Sequence, residues 1–212
     1  MFDIEYKGAN SVVFTTKKTR VIFDPNLSRV GAKEVAVNSD VEVTTEDRFA
    51  AVVGTPRLRF SSPGEYEVGE VSLTGIPARR HIDAEGQGNH ATIYRVVIGD
   101  IRIAVIGNVA PKLDDNQLEA LGVVDMAVIP VGGGGYTLDA TDASVMLRQI
   151  EPRAVIPVHY ADTGLTYEVP QEELDVFVKE LGVGVIEAGT KHKIKGDSSI
   201  PEQMTIIKIA RS

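Results

Sequence analysis

The chain changes its hydrophobic period about halfway along, and that switch constrains its fold more than any other feature. Phe2-Ile4-Tyr6, Val12-Val13-Phe14 and Val21-Ile22-Phe23 are short β-favouring runs, separated by Gly8-Ala9-Asn10 and Lys17-Lys18-Thr19. Alternation with period two and tight turns predict an antiparallel meander. Ala51-Val52-Val53 reads as a further short strand. Tyr66–Val68 and Val71–Thr74 read as a hairpin through Gly69, and 93–98 with 101–106 as another turning at Gly99-Asp100. Beyond residue 112 strands alternate with helical spacing. Residues 113–121 predict a helix stopped by Gly122, and Asp139 can cap one running to Ile150, with Ala140, Ala143, Leu147 and Ile150 on one face. Pro152 breaks it before a strand at 154–158, and 171–181 is a third amphipathic helix. A buried strand is expected at 126–131, and further strands at 183–186 and 205–209. A meander followed by β/α units, with helices apolar on one face, predicts an α+β fold of two packed sheets with helices outside.

The 212 residues contain no low-complexity linker, so one domain over 1–212 is expected. A net charge of −8 argues against broad contact with nucleic acid or an anionic membrane, which needs a basic surface. No apolar run reaches ~18 residues, so no transmembrane helix is predicted. The acidic, alternating N-terminus is unlike a secretory leader, and a cytoplasmic location is expected. The absence of cysteine fits that compartment and excludes disulfides and thiolate metal sites.

Chemistry-bearing residues cluster at predicted strand ends. His159 follows the apolar run Ala154–Val158, where a side chain is held rigidly and projects into a crevice. It is either a ligand or a buried histidine bonded to backbone or Tyr160. His81 follows a strand and precedes a polar loop, and reads as an ordinary loop histidine ahead of a ligand. Asp24 precedes Pro25, where a carboxylate commonly accepts turn N–H bonds. Arg79 and Arg80 form a basic pair whose forks suit carboxylate or phosphate, or else a solvated loop. Gly132 to Gly135 follow a strand and precede a helix, but no Lys-Ser or Lys-Thr completes a phosphate loop. No serine lies in a G-x-S-x-G turn.

Two segments carry a family resemblance. The stretch from Ile129, I-P-V-G-G-G-G-Y-T-L-D, continues to E-P-R-A-V-I-P-V-H-Y ending at Tyr160, and Val21-Ile22-Phe23-Asp24-Pro25 lies upstream. Together they resemble metallo-β-lactamase-fold hydrolases of the Zn-dependent, lactonase-like branch, with strongest similarity at 125–160. The resemblance implies a four-layer αβ/βα sandwich, His159 and His81 as metal ligands, and Asp24 as a supporting carboxylate. It also implies an H-x-H-x-D-H motif holding two metals near residues 41–48, yet no histidine occurs between Asp24 and His81. Glu46 and Asp47 stand there instead, and Arg48 brings a cation where metal would sit. The bridging aspartate of the family corresponds to Asn108, which cannot supply the bridging charge.

Two functions are therefore expected in competition. One is a non-catalytic, ligand-binding member of the fold. The other is a hydrolase with a mononuclear or metal-free site acting on a small anionic ester or lactone. No catalytic metal pair is expected, and at most one weakly held zinc on His81, His159 and Asp24, since a catalytic zinc commonly needs three protein ligands. The expected partner is a small anion bound by Arg79, Arg80, Asn108, Tyr136 and Tyr160.

Overall fold

A computed structural model describes residues 1–81 and 89–212. Its first sheet contains β1 (Phe2–Gly8), β2 (Ser11–Thr15), β3 (Arg20–Phe23), β4 (Val41–Val43) and β5 (Leu58–Phe60). The second contains β6 (Gly64–Val68), β7 (Val71–Arg79), β8 (His90–Ile98), β9 (Ile101–Val105), β10 (Met126–Pro130), β11 (Ala154–Val158), β12 (Gly184–Ala188) and β14 (Thr205–Ile209). A short strand, β13 (His192–Ile194), returns to the first sheet beside β1. The strand orders are β13-β1-β2-β3-β4-β5 and β12-β14-β11-β10-β9-β8-β7-β6.

Burial follows the sequence periods. Strand β1 alternates buried and half-buried residues, as expected when one face meets the core. Strands β10 and β11 are buried throughout, pair in parallel, and occupy the centre of their sheet, which explains their continuous apolar runs. Ile4, Phe14, Phe23, Tyr94, Ile103 and Ile156 fill the space between the sheets. Phe14 meets Phe23 edge-on at 5.7 Å, and Phe23 meets Tyr94 across the sandwich at 5.8 Å.

The helices are α1 (Asp115–Leu121), α2 (Ala140–Ile150) and α3 (Leu174–Leu181). Asp114 caps α1 with a capping box, and Asp139 caps α2 by accepting from the Asp142 N–H. Met146, Leu147, Phe177 and Leu181 bury the outer face of the second sheet against Ile93, Ile129 and Val155. Each such side chain contributes roughly 1.5–3 kcal/mol by leaving water. On the outer face of the first sheet, Val13 and Ile22 pack against Val35 and Val37 of the loop before β4.

The α+β sandwich expected from the period switch is the observed architecture. The predicted meander is β1-β2-β3, antiparallel throughout, to which β4 and β5 add in parallel. Two local expectations are corrected. Residues 51–53 are irregular, with Val52 77% and Val53 63% exposed, so that apolar run is not a strand. Helix α3 begins at Leu174 rather than Gln171, because Glu172 is tied to neighbouring backbone: its N–H donates to the Gly132 carbonyl and its carbonyl accepts from Ala161.

Candidate functional site

Seven chain segments end or turn at one edge of the sandwich. Asp24 follows β3, Thr45 and Glu46 follow β4, Arg80 and His81 follow β7, and Asn108 lies just beyond β9. Gly132 follows β10, His159 follows β11, and Asn10 occupies the β1–β2 turn. Asp24 and His159 both adopt left-handed backbone, at φ +47° and +51°. That conformation is uncommon for non-glycine residues and turns both chains sharply out of their strands. Gly107 permits the close approach this packing needs: a Cβ there would lie 2.8 Å from the Thr45 Cβ.

Glu46 is the centre of a buried ion cluster. Its Oε2 lies 2.8 Å from Arg48 Nε and 3.0 Å from Arg80 Nε, and Arg48 Nη2 donates to its Oε1 at 3.0 Å. The side chains are 5%, 14% and 7% exposed for Glu46, Arg48 and Arg80. Removing such charges from water is costly, and mutual pairing is what keeps them buried. The guanidinium of Arg48 also lies over the Tyr136 ring at 4.9 Å.

A hydrogen-bonded relay runs from this cluster to His159. Asn108 Nδ2 donates to Glu46 Oε1 at 3.2 Å, and Asn10 Nδ2 donates to Asn108 Oδ1 at 2.9 Å. His159 Nδ1 lies 3.1 Å from Asn10 Oδ1. His159 is 2% exposed, and its Nε2 has no hydrogen-bond partner. Burial, followed by the charge of Arg48, pushes its pKa down to about 3, so the ring is neutral. The imidazole lies between the rings of Tyr136 and Tyr167, at 5.6 and 4.9 Å.

Asp24 accepts from the Thr45 N–H at 2.8 Å and from Thr45 Oγ1 at 2.7 Å. These bonds match the turn role open to it in the sequence. Burial nevertheless dominates and raises its pKa to about 7. A narrow crevice with a cavity volume of about 20 Å³ is lined by Asn10, Asp24, Tyr136, His159, Tyr167 and Gln171, among others.

The other candidates are distributed differently. Arg79 and Arg80 do not act as a pair: they fall on alternate faces at the end of β7, so Arg80 is buried and Arg79 is exposed. Arg79 lines a separate groove with His90 and Lys112. His81 faces α2, where its Nε2 lies 3.9 Å from Asp142. Burial lowers the pKa of His81, opposed by Asp142 and Asp139. Tyr160 stacks toward Tyr6 at 5.7 Å, away from the lining of the crevice. The run Gly132 to Gly135 serves close packing. A Cβ on Gly132 would lie 2.3 Å from the His159 carbonyl oxygen, and one on Gly134 would lie 2.4 Å from that of Pro170. Asn10, in an ordinary turn sequence, and the buried pairing of Glu46 had no individual sequence signal beyond the missing histidines.

A metal pair requires converging imidazole and carboxylate ligands. Among the described residues, no group of three or more His, Cys, Asp or Glu side chains is placed to hold a metal ion. His159 and Asp24 take separate hydrogen-bond partners, His81 faces α2, and the carboxylate nearest the expected motif is engaged by two guanidiniums. This donor set does not fit a dinuclear centre.

Two packed sheets, helices on an outer face and polar side chains gathered at one strand edge make an α+β sandwich with its candidate site at that edge. Residues 3–159 match the family model described as the beta-lactamase superfamily domain. The chain belongs to that family. A UPF0173 metal-dependent hydrolase of Thermus thermophilus is 25% identical over 194 residues, covering 76% of this chain and 84% of that protein. One of Thermococcus onnurineus is 31% identical over 136 residues, covering 62% and 57%. A Thermotoga maritima structure, named for a candidate Zn-dependent hydrolase of the metallo-β-lactamase superfamily, superposes with a TM-score of 0.76. It is 18% identical and covers 99% of this chain and 100% of its own, a likeness of fold. No helix among the described residues is long and apolar enough to cross a membrane.

Proposed function

We propose that this member of the beta-lactamase superfamily has replaced the metal centre of its family with an internal ion cluster, and that it binds a small anionic ligand without metal-dependent hydrolysis. The observation that carries this reading is buried Glu46 held between half-buried Arg48 and buried Arg80. Arg48 also reaches over the Tyr136 ring that lines the crevice, at 4.9 Å, and a guanidinium fork in that place suits an anion. Asn108 supports the same reading, since it uses its amide to bind Glu46 rather than to bridge cations.

The test is elemental analysis of protein purified without chelator, followed by a panel of esters, lactones and phosphodiesters. Zinc, manganese and iron should each fall well below one equivalent, with no turnover. Two tightly held ions per chain would overturn the proposal.

A second reading is a metal-free hydrolase of a small anionic ester or lactone. It draws support from the bare His159 Nε2 in the same crevice as Asp24. Turnover by metal-free protein that disappears in His159→Ala would favour it over pure binding.

A further inference from the structure

The edge of the sandwich opposite His159 carries a groove of its own. Strand β3 enters at Arg20 and leaves toward Asp24, and β4 enters at Val41 and leaves toward Thr45. The groove lies at the entry ends, so about 13 Å of strand, at about 3.3 Å per residue, separates it from the crevice. Its cavity volume is about 240 Å³, and it is lined by the β2–β3 turn, the start of β4 and Arg57. Lys17, Lys18, Arg20 and Arg57 all face it. The turn that carries the lysines is fixed by its own bonds. The Thr16 N–H donates to the Thr19 carbonyl at 2.9 Å, and Thr16 Oγ1 accepts from the N–H groups of Lys18 and Thr19 at 3.2 and 2.9 Å. One residue holds both arginines. Asp40 Oδ2 accepts from Arg20 Nη1 at 2.7 Å, and its carbonyl accepts from the Arg57 N–H at 2.8 Å. Ser39, beside it, takes left-handed backbone at φ +61°, a conformation uncommon outside glycine.

Two carboxylates stand against these four cations. Asp40 pairs with Arg20, and Glu70 of the β6–β7 turn lies against Thr16 and Lys18. Lys17 and Arg57 have no ion pair among the described residues. Four cations against two carboxylates leave an excess of two positive charges, on a chain whose net charge is −8. We infer that this groove is an anion site for a diphosphate group, either free or at the end of a larger phosphate ester. The volume is below the roughly 300–1,000 Å³ of a pocket that encloses a drug-sized molecule, so it takes a head group. In the sheet order β3 and β4 lie between the lysine turn and Arg57, and an anion with two phosphoryl groups can engage both sides at once. Guanidinium forks suit phosphate oxygens, and the lysines add point charges. The site is independent of the crevice and of the function proposed above.

The experiment uses ¹⁵N-labelled full-length protein at fixed ionic strength and three probes: inorganic pyrophosphate, inorganic phosphate and ADP. Pyrophosphate should shift the amides of Thr16, Lys17, Lys18, Ser39 and Asp40 and leave those of Asn10, Asp24 and His159 in place. By calorimetry it should bind about tenfold or more tighter than phosphate, the scale of one further charge-assisted hydrogen bond. Arg57→Ala and the double variant Lys17→Ala with Lys18→Ala should each weaken it by about tenfold. These side chains are exposed, so the variants keep the fold. Lys112→Ala removes an exposed cation from a different groove and should change binding less than about twofold. ADP shifting the same amides assigns the site to the end of an ester, and pyrophosphate acting alone assigns it to the free anion; both uphold it. Equal losses in Lys112→Ala and Arg57→Ala would overturn the inference, as would equal binding of phosphate and pyrophosphate, or amide shifts confined to the His159 edge.

Discussion

Glu46 Oε2 lies 3.0 Å from Arg80 Nε, joining the turn after β4 in one sheet to the end of β7 in the other. Breaking a buried ion cluster by removing one partner leaves the remaining charges unpaired, at a cost of about 3–5 kcal/mol. Glu46→Ala should therefore destabilise the protein by about 3 kcal/mol in urea unfolding, because it removes the carboxylate that Arg48 and Arg80 share. A loss below about 1 kcal/mol, the scale of an exposed pair, would show that the cluster contributes little to the fold.

Chelation should leave stability unchanged. An ion bound to the native state raises the melting temperature by mass action, and its removal lowers it. Overnight EDTA treatment followed by exchange into clean buffer should shift the thermal midpoint by less than about 1 °C, where the loss of 1 kcal/mol of linkage would move a chain of this size about 2–4 °C. A drop of several degrees, restored by zinc, would contradict the metal-free reading.

Gly132 predicts a steric effect at the mouth of the site. Its added Cβ would meet the His159 carbonyl oxygen at 2.3 Å, which only a backbone shift can relieve. Gly132→Ala should cost about 2 kcal/mol or more, within the range of severe overpacking. Gly189→Ala is the control, since a Cβ there meets nothing within 4 Å. Equal midpoints for the two variants in a denaturant series would remove this account of the glycine run.

Asp24 predicts the sign of a pH effect. Burial raises its pKa to about 7 in the folded chain, above the ordinary unfolded value near 3.9. Between those values the folded state holds a proton that the unfolded state has released, so this carboxyl makes stability fall as pH rises from about 4 to about 7. Above that window its contribution is flat. Asp24→Asn removes the proton exchange while keeping an acceptor for the Thr45 N–H. It should flatten the stability profile between pH 4 and 7 in guanidinium titrations, and an unchanged slope would assign the effect elsewhere.

Much of this architecture could be read from residue periods. The capped helix at 140–150, the glycine stops and the apolar runs of β10 and β11 follow local rules, and they appear where those rules place them. The three-residue strands β4, β5 and β13 carry too few residues to show a period, and neighbouring chains define them. Val52 and Val53 show the converse: apolar residues without a partner surface make no strand. Within the site, His159, Asp24 and Asn108 stood out because each ends a strand. The division of Arg79 from Arg80 required knowing that β7 runs to residue 79, since pleating then sends adjacent side chains to opposite faces. Asn10 gave no signal, because its role depends on residues 98 and 149 positions away.

The relay alternates between the two sheets at every step. His159 belongs to the second sheet, Asn10 to the first, Asn108 to the second, Glu46 to the first and Arg80 to the second. Main-chain bonds cross alongside it, from the His159 N–H to the Ala9 carbonyl and from the Thr92 N–H to that of Thr45. This edge therefore acts as a seam rather than a mouth that opens independently. Separating the sheets here breaks the seam link by link, so the amides of His159 and Thr92 should exchange with solvent only in the same cooperative opening that exposes Phe23 and Tyr94. A ligand entering the crevice would meet a surface already set, and the rigidity of the recognition site would be a property of the whole fold.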